Sequence, residues 1–180
     1  TEVDAHAEQP GKAIGRIRYK DLDGNGVIQD LHDRTYIGIT DPDFFGGATF
    51  DLSYRNFDLN VFFQGVFGNK VDNVWKRESD LWNISVPAHK NHPIRILNGW
   101  SFENPGSDVP AITNTTQNAE HRFSSYYVED GSYLKLRNVE LGYTLSQAVS
   151  SRMRMQHLRL YASARNVFTV KKWWGADRFT

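Results

Sequence analysis

The chain has no cysteine and no long apolar run. Without cysteine, a disulfide scaffold, thiol catalysis and a cysteine-ligated zinc site are excluded. No stretch approaches the roughly 18 apolar residues that a membrane-spanning helix needs, and the mean hydropathy of −0.56 agrees. A membrane barrel is still allowed, because alternating strands give a much weaker hydropathy signal.

An excess of charge and an export leader are also missing. The 180 residues include 21 basic and 21 acidic side chains, so no basic surplus is present to neutralise phosphates and no nucleic-acid partner is expected. Residues 1–11 have neither a basic start nor an apolar core, so an exported protein would be present here as a processed or internal piece. We find no converging nucleophile or acid/base set, and we predict that the chain is not an enzyme.

What the sequence does contain is alternation, most clearly over residues 48–67. Side chains in a strand alternate between two faces, so a period of two indicates a strand with one apolar and one polar face. Both arms follow this period and are joined at Arg55-Asn56, which predicts a tight hairpin. Each arm has about ten residues, the length of a tilted membrane strand. The pattern alone is equally compatible with an exposed hairpin of a soluble β-sandwich.

Two more long strands are predicted over residues 132–144 and 158–170. In the first, the apolar residues change parity near Asn138. Either a β-bulge shifts the register there, or the upper half of the strand stands above the membrane. Short extended runs are predicted at residues 14–19 and 34–39, and a short helix at residues 74–82.

Connection lengths then alternate between long and short. Outer-membrane barrels have short periplasmic turns and long extracellular loops, so the alternation favours a membrane fold and sets its orientation. The predicted segments are an extracellular region with a calcium-type motif (1–43), a transmembrane hairpin (44–68), a long extracellular loop (69–131), two transmembrane strands with a periplasmic turn at 145–157 (132–170), and the start of another extracellular loop (171–180).

Residues 21–28 match the start of an EF-hand calcium loop. Oxygen ligands are expected at its positions 1, 3 and 5, a glycine at position 6 and a carbonyl ligand at position 7. Position 12 is His32, and the nearest carboxylate falls one residue later, so a bulge would let Asp33 close the shell, or Asp30 would replace it. The candidate Ca²⁺ ligands are Asp21, Asp23, Asn25, Val27 and Asp33. The metal-free alternative is a turn held by Asx hydrogen bonds.

Five runs, in this order, resemble the C-terminal part of the SusC/RagA family of TonB-dependent outer-membrane transporters. They are residues 15–26 (GRIRYKDLDGNG), 33–38 (DRTYIG), 57–65 (FDLNVFFQG), 130–145 (DGSYLKLRNVELGYTL) and 158–168 (LRLYASARNVF). The runs cover most of the chain outside the long loop.

The resemblance implies an all-β fold of antiparallel strands that form part of a large, 22-stranded transmembrane barrel, incomplete in this chain. It implies an N-terminal plug, energy supplied through TonB, import of oligosaccharides or peptides, contact with outer-membrane lipid, and a SusD-like surface lipoprotein as the lid. The plug, the TonB box and most strands lie outside this sequence. The polar-face residues expected to line the lumen or touch the plug are Asp51, Asp58, Asn60, Gln64, Arg159 and Arg165.

Two other functions remain open on the residues alone. A secreted β-sandwich that binds glycans with calcium support explains the Asp21 loop and the tryptophans, but not the alternating loop lengths. It would be soluble without detergent, whereas the transporter segment would expose a large apolar surface. A glycosidase fragment would need two carboxylates about 5–10 Å apart across a cleft.

Overall fold

The computed structural model describes residues 5–29, 31–81, 92–114 and 120–173. The chain divides into two compact units. Unit 1 comprises Thr1–Ile37 and Asp72–Val128, and unit 2 comprises Gly38–Val71 and Glu129–Thr180. Unit 2 contains the long strands, and unit 1 contains the calcium-type motif and most of the long loop.

Unit 2 is built on a four-stranded antiparallel sheet. Its strands are β1 (Phe44–Tyr54), β2 (Phe57–Phe67), β5 (Tyr133–Thr144) and β6 (Arg159–Lys171), in the spatial order β1-β2-β5-β6. The short strands β3 (Lys70–Asp72) and β4 (Val128–Asp130) pair with each other. The sheet is open, with β1 and β6 at its edges, so the predicted all-β, incomplete-barrel fold class is confirmed.

The hairpin between β1 and β2 turns in two residues. Tyr54 pairs with Phe57, and Arg55 has a φ of 55°. Two-residue hairpin turns place their first central residue in this left-handed region, so the turn follows the strand twist. The alternation read from residues 48–67 therefore corresponds to two paired strands in a single register.

The parity change in β5 is a β-bulge. Phe62 pairs with Asn138 and Phe63 with Leu136, so Arg137 is the extra residue on β5. On β6 the same level contains Asn166, with a φ of 53°. Of the two explanations left open by the sequence, the bulge is correct, and it keeps the apolar side chains on one face along the whole strand.

The described residues include two short α-helices. The first, α1 (Val74–Ser79), begins after Asn73, whose side chain accepts a hydrogen bond from the Lys76 N–H at 3.0 Å and so caps the helix. The sequence predicts this helix to residue 82, but Trp82 lies outside the described residues. The second, α2 (Gln147–Arg152), lies in the connection between β5 and β6. No helix among the described residues has the length and apolar character needed to cross a membrane.

Unit 1 has a small core with a polar centre. Its buried apolar residues are Ile28, Ile96, Val109 and Tyr127. A 3₁₀ helix, Ile94–Asn98, contributes Ile96. Residues 14–19 do not form the short strand that their alternation indicates, and residues 34–39, predicted as an extended run, pair in no strand. In the first run, side-chain and isolated backbone hydrogen bonds replace a strand ladder, because Gly15 has a φ of 76° and the Ile17 N–H donates to Glu120.

Candidate functional site

One face of the sheet in unit 2 contains a ladder of polar side chains. Asn60 donates from its Nδ2 to Asp51 Oδ1 at 2.6 Å. Asn138 donates to Asn60 Oδ1 at 3.3 Å, which extends the ladder across three strands. The pairing of Asp51 with Asn60 across β1 and β2 explains why both side chains leave the same face.

A second cluster on the same face lies closer to the hairpin turn. Arg159 donates to both Asp58 oxygens, with Nε to Oδ1 at 3.1 Å, and to Glu140 Oε1 at 2.8 Å. Gly142 lies between them, and a Cβ there would collide with the Asp58 carboxylate and the Arg159 guanidinium. This glycine therefore makes room for an ion-paired cluster that joins β2, β5 and β6.

The remaining predicted polar-face residues are Gln64 and Arg165. Arg137, the bulged residue, donates to Gln64 Oε1 at 3.0 Å. Arg165 pairs with Asn138 in the register, but its guanidinium makes no hydrogen bond or ion pair with the other residues that the structure describes. All six predicted residues therefore share one face, and five of them belong to hydrogen-bonded clusters. Arg137, Asn138 and Glu140 belong to these clusters but were not predicted; the bulge and the continued alternation of β5 are the signals that identify them.

The opposite face of the sheet is apolar, and most of its side chains are exposed or half-buried. It comprises Phe50, Leu52, Tyr54, Phe57, Leu59, Val61, Phe63, Leu136, Val139, Leu141, Tyr143, Leu160 and Phe168. Phe50 is 53% exposed and Leu52 61% exposed. A contiguous apolar face of this size is typical of a surface that contacts another protein segment or a membrane.

The calcium-type motif in unit 1 gathers three of its predicted ligands. Carboxylate oxygens of Asp21, Asp23 and Asp33 lie within 4.8 Å of one another. Asn25 lies against this group, since its Nδ2 donates to Asp23 Oδ2 at 2.8 Å and its Oδ1 accepts from the Val27 N–H at 2.8 Å. Asp30, the alternative closing ligand, lies outside the described residues.

Backbone N–H groups orient the two outer carboxylates of this motif. Asp21 accepts from Gly24 and Gly26 at 2.7 and 2.8 Å. Asp33 accepts from Leu22 at 2.8 Å and Gln29 at 2.6 Å. These hydrogen bonds lower the pKa of both carboxyls, so both are ionised at neutral pH. The carboxylate at position 13 therefore lies beside the carboxylate at position 1, and three carboxylates converge, which is the type of ligand that Ca²⁺ prefers.

Unit 1 also contains a groove of about 580 Å³, a volume typical of ligand pockets. Aromatic side chains at its wall are Tyr19, Trp100 and Tyr126, and basic ones are Arg16, Arg18 and Lys20. Trp100 also borders a second groove of about 280 Å³. Gly15, with its φ of 76°, lets the Trp100 ring lie directly against the backbone.

A buried ion pair holds the two sides of this groove together. Arg16 donates to the Glu120 carboxylate and to the Ala111 carbonyl. The side chains of Arg16 and Glu120 are only 6% and 2% exposed. Burial lowers the pKa of Arg16, although the side chain stays paired. Glu120 also accepts from the Ile17 N–H at 2.8 Å, so one carboxylate fixes both the side chain and the backbone of the 16–17 segment.

A second buried carboxylate fixes Tyr126 at the groove wall. Asp80 is 1% exposed, accepts from Tyr126 Oη at 2.7 Å and lies 3.3 Å from the Arg95 guanidinium. Burial and the neighbouring carboxylate raise the pKa of the Tyr126 hydroxyl, which keeps it a proton donor. The sequence gives no signal for these contacts, because the partners are 46 and 104 residues apart.

Comparison with curated proteins finds relatives of one kind, although no protein-family model matches the chain. TonB-dependent receptor P3 of Formosa agariphila is 38% identical over 159 residues, covering 88% of this chain and 15% of that protein. TonB-dependent receptor P26 of the same organism is 32% identical over 149 residues, 80% of this chain and 14% of that protein. TonB-dependent receptor SusC of Bacteroides thetaiotaomicron is 24% identical over 171 residues, 94% of this chain and 16% of that protein.

Solved structures of the RagAB system share the fold. The RagAB peptide transporter is 25% identical, with a TM-score of 0.58 over 72% of this chain and 14% of that one. The RagAB peptide importer in its open-open state is 23% identical, with a TM-score of 0.67 over 88% of this chain and 17% of that one. The chain therefore spans about 15% of the length of the proteins it matches. The resemblance to the SusC/RagA family read from the five sequence runs is confirmed.

Proposed function

Since this chain is homologous to the TonB-dependent receptors, SusC among them, we propose that it forms part of the wall and the outer loops of an outer-membrane nutrient transporter. The observation that carries the proposal is the two-faced sheet, apolar on one side and polar on the other. Strand β1 has 11 residues and is therefore about 36 Å long. Tilted by about 45°, it spans about 25 Å, the height of the apolar band of outer-membrane barrels.

In this arrangement the polar ladder faces the lumen. Asp51, Asp58, Asn60, Gln64, Arg159 and Arg165 then line the channel or contact the plug. The ion-paired cluster of Asp58, Arg159 and Glu140 holds the wall rigid, and Arg165 offers an uncompensated positive charge to the lumen or plug. The chain binds and passes substrate, and no covalent bond is broken.

Unit 1 supplies the outer loops in this proposal. The groove walled by Tyr19, Trp100 and Tyr126 contacts an oligosaccharide or a peptide, since aromatic rings with nearby polar groups suit both ligands. A SusD-like lipoprotein covers the loops, and TonB acts through the parts of the transporter outside this chain. Because RagAB is a peptide transporter, the similarity to its structures favours a peptide over an oligosaccharide as the substrate.

Fractionation of the cells that produce this polypeptide, with detection by an antibody against it, tests this proposal. We expect a chain several times longer than 180 residues in the outer membrane, in a detergent-soluble form that migrates faster on gels before heating than after. A soluble secreted species would contradict it, and would favour the calcium-supported β-sandwich that binds glycans.

The groove makes a separate prediction. Trp100→Ala should weaken substrate binding about tenfold, because a central aromatic anchor in a ligand site typically contributes more than 1 kcal/mol. The measurement is the concentration of imported oligosaccharide or peptide that gives half-maximal uptake. Leu97→Ala is the matched control, since Leu97 is 78% exposed in the same unit and does not line the groove. If Trp100→Ala and Leu97→Ala changed the half-maximal concentration equally, the groove would not be the substrate-binding site.

We also propose that the Asp21 loop binds Ca²⁺. Asp21, Asp23 and Asp33 would supply carboxylate oxygens, with Asn25 and the Val27 carbonyl completing the shell. The convergence of the three carboxylates supports this site, because no lysine or arginine among the described residues forms an ion pair with them; His32 Nδ1 lies 3.8 Å from Asp23 Oδ2. The ion would hold residues 21–33 in one conformation.

A further inference from the structure

One end of the sheet in unit 2 contains basic residues without matching acidic ones. The Arg55-Asn56 turn and the β5–β6 connection meet there, since the Thr144 N–H donates to the Asn56 carbonyl at 2.8 Å. The connection closes on itself through a 2.9 Å hydrogen bond from the Leu145 N–H to the Leu158 carbonyl. Both segments therefore belong to the same edge of the molecule.

The charge at this end has one sign. Arg55, Arg152 and Arg154, which we call the basic rim, are all exposed. Residues 145–157 include no aspartate or glutamate, and neither do residues 52–57. The two acidic residues that flank the turn segment in the sequence are held by other groups, Asp51 by Asn60 and Asp58 by Arg159. The guanidinium groups of the basic rim make no hydrogen bond or ion pair with any other described residue.

Apolar side chains accompany the basic rim. Val149, Met153 and Met155 are 45%, 52% and 43% exposed. Val149 lies in α2, and hydrogen bonds from the Met153 and Met155 N–H groups to the Ser150 carbonyl, both 3.0 Å, hold the two methionines in a closed turn after the helix. The surface beside the basic rim is therefore partly apolar and has a defined conformation.

Aromatic residues connect the basic rim to the apolar face. The Arg55 guanidinium lies 5.3 Å from the centre of the Tyr54 ring, and the rings of Phe57 and Tyr143 lie 4.7 Å apart. These three aromatic residues end the apolar face at the level of the turn. Aromatic rings at the end of an apolar band, followed by arginine, are typical of a membrane–water boundary.

The opposite end of the sheet differs in charge. Asp43 precedes β1 there, and Lys172 follows β6 and pairs with Asp130 at 3.3 Å. That end has both signs in contact with each other. The unbalanced positive charge is therefore a property of the turn end alone and not of the whole sheet.

We propose that the basic rim binds the phosphate groups of anionic phospholipids in the membrane leaflet that the tight turns reach, with Val149, Met153 and Met155 at the acyl boundary. The inference rests on the membrane location proposed above. Uncompensated arginines are complementary to lipid phosphate, and they continue directly from the surface that faces the acyl chains. Each arginine near an anionic lipid surface contributes about fivefold to the affinity.

The test uses the full-length receptor in a neutral detergent, titrated with phosphatidylglycerol and, separately, with zwitterionic phosphatidylcholine. Native mass spectrometry counts the lipids bound. We expect phosphatidylglycerol to bind more tightly than phosphatidylcholine, and the R152Q/R154Q variant to lose about 25-fold in phosphatidylglycerol affinity. The K171Q/K172Q variant removes two positive charges from the opposite end and should keep the affinity.

Two results would overturn the lipid proposal. One is equal binding of both lipids. The other is an unchanged phosphatidylglycerol affinity in R152Q/R154Q, and this result would count against the lipid even if a periplasmic protein were found to bind the basic rim. Heat-dependent gel migration of each variant shows separately that the barrel is folded. If the unmodified receptor is not in the membrane at all, the proposed function fails; if it is folded there and only the lipid result is negative, the lipid proposal alone fails.

Discussion

Glu120→Gln should lower the free energy of unfolding of unit 1 by about 3–5 kcal/mol. The substitution removes the charge that faces Arg16 and leaves a guanidinium that is only 6% exposed without an ionic partner. Breaking a buried ion pair from one side costs this much because the remaining charge is neither solvated nor paired. The loss should be greatest around Glu120. Its carboxylate accepts a hydrogen bond from the Ile17 N–H, and its backbone carbonyl accepts one from the Tyr127 hydroxyl at 2.6 Å.

Hydrogen exchange of the full-length receptor measures this effect. Amides of residues 14–20 and 107–112 should exchange faster in Glu120→Gln, because the Ala111 N–H donates to the Gly15 carbonyl across the same contact. The control is Glu8→Gln, which breaks the exposed pair with Lys12 and should change exchange very little. Exchange that is unchanged in both variants would show that the buried pair does not hold unit 1 together.

The same pair connects stability to the groove. Arg16, Tyr19 and Trp100 line it, and Glu120 positions the segment that contains the first two. A receptor with Glu120→Gln should therefore also lose uptake affinity, although Glu120 does not line the groove. The loss of affinity would arise because the 16–17 segment is no longer held in place, so it should be seen together with the faster hydrogen exchange.

The strands of the sheet could be predicted from the sequence because the pattern that defines each strand lies within a short stretch of the chain. Period-two alternation over residues 48–67 gives strand direction, face and turn at once, and the hairpin fixes the register. The bulge at Arg137 was one of two readings, since a change of parity reveals an irregularity without telling its cause. Pairing of β2 with β5 could not be derived from spacing, because about 65 residues of the chain separate them.

Unit 1 was predicted far less well, and the reason is physical. Its order comes from contacts such as Arg16 with Glu120 and Tyr126 with Asp80, which are distant in sequence and leave no periodic pattern. A net charge of zero also concealed the basic rim, since the 21 acidic residues that balance the total lie elsewhere. Local charge became visible only when the fold brought residues 55 and 152–154 to one end.

Asp21→Asn should reduce Ca²⁺ affinity by about 100-fold, because it removes a charged ligand from the first position of the loop. Asp33→Asn should reduce it by at least about tenfold if the carboxylate at position 13 closes the shell, as its contacts with Leu22 and Gln29 place it to do. Calorimetric titration of the full-length receptor with CaCl₂ measures both variants. The control is Asp108→Asn, which changes an acid elsewhere in unit 1 whose side chain is 85% exposed.

Absence of binding by the unmodified receptor at millimolar Ca²⁺ would leave the loop as an Asx-bonded turn. Binding that survives Asp33→Asn but not Asp21→Asn would retain the metal site and remove Asp33 from it, so the two variants separate the existence of the site from the identity of its closing ligand.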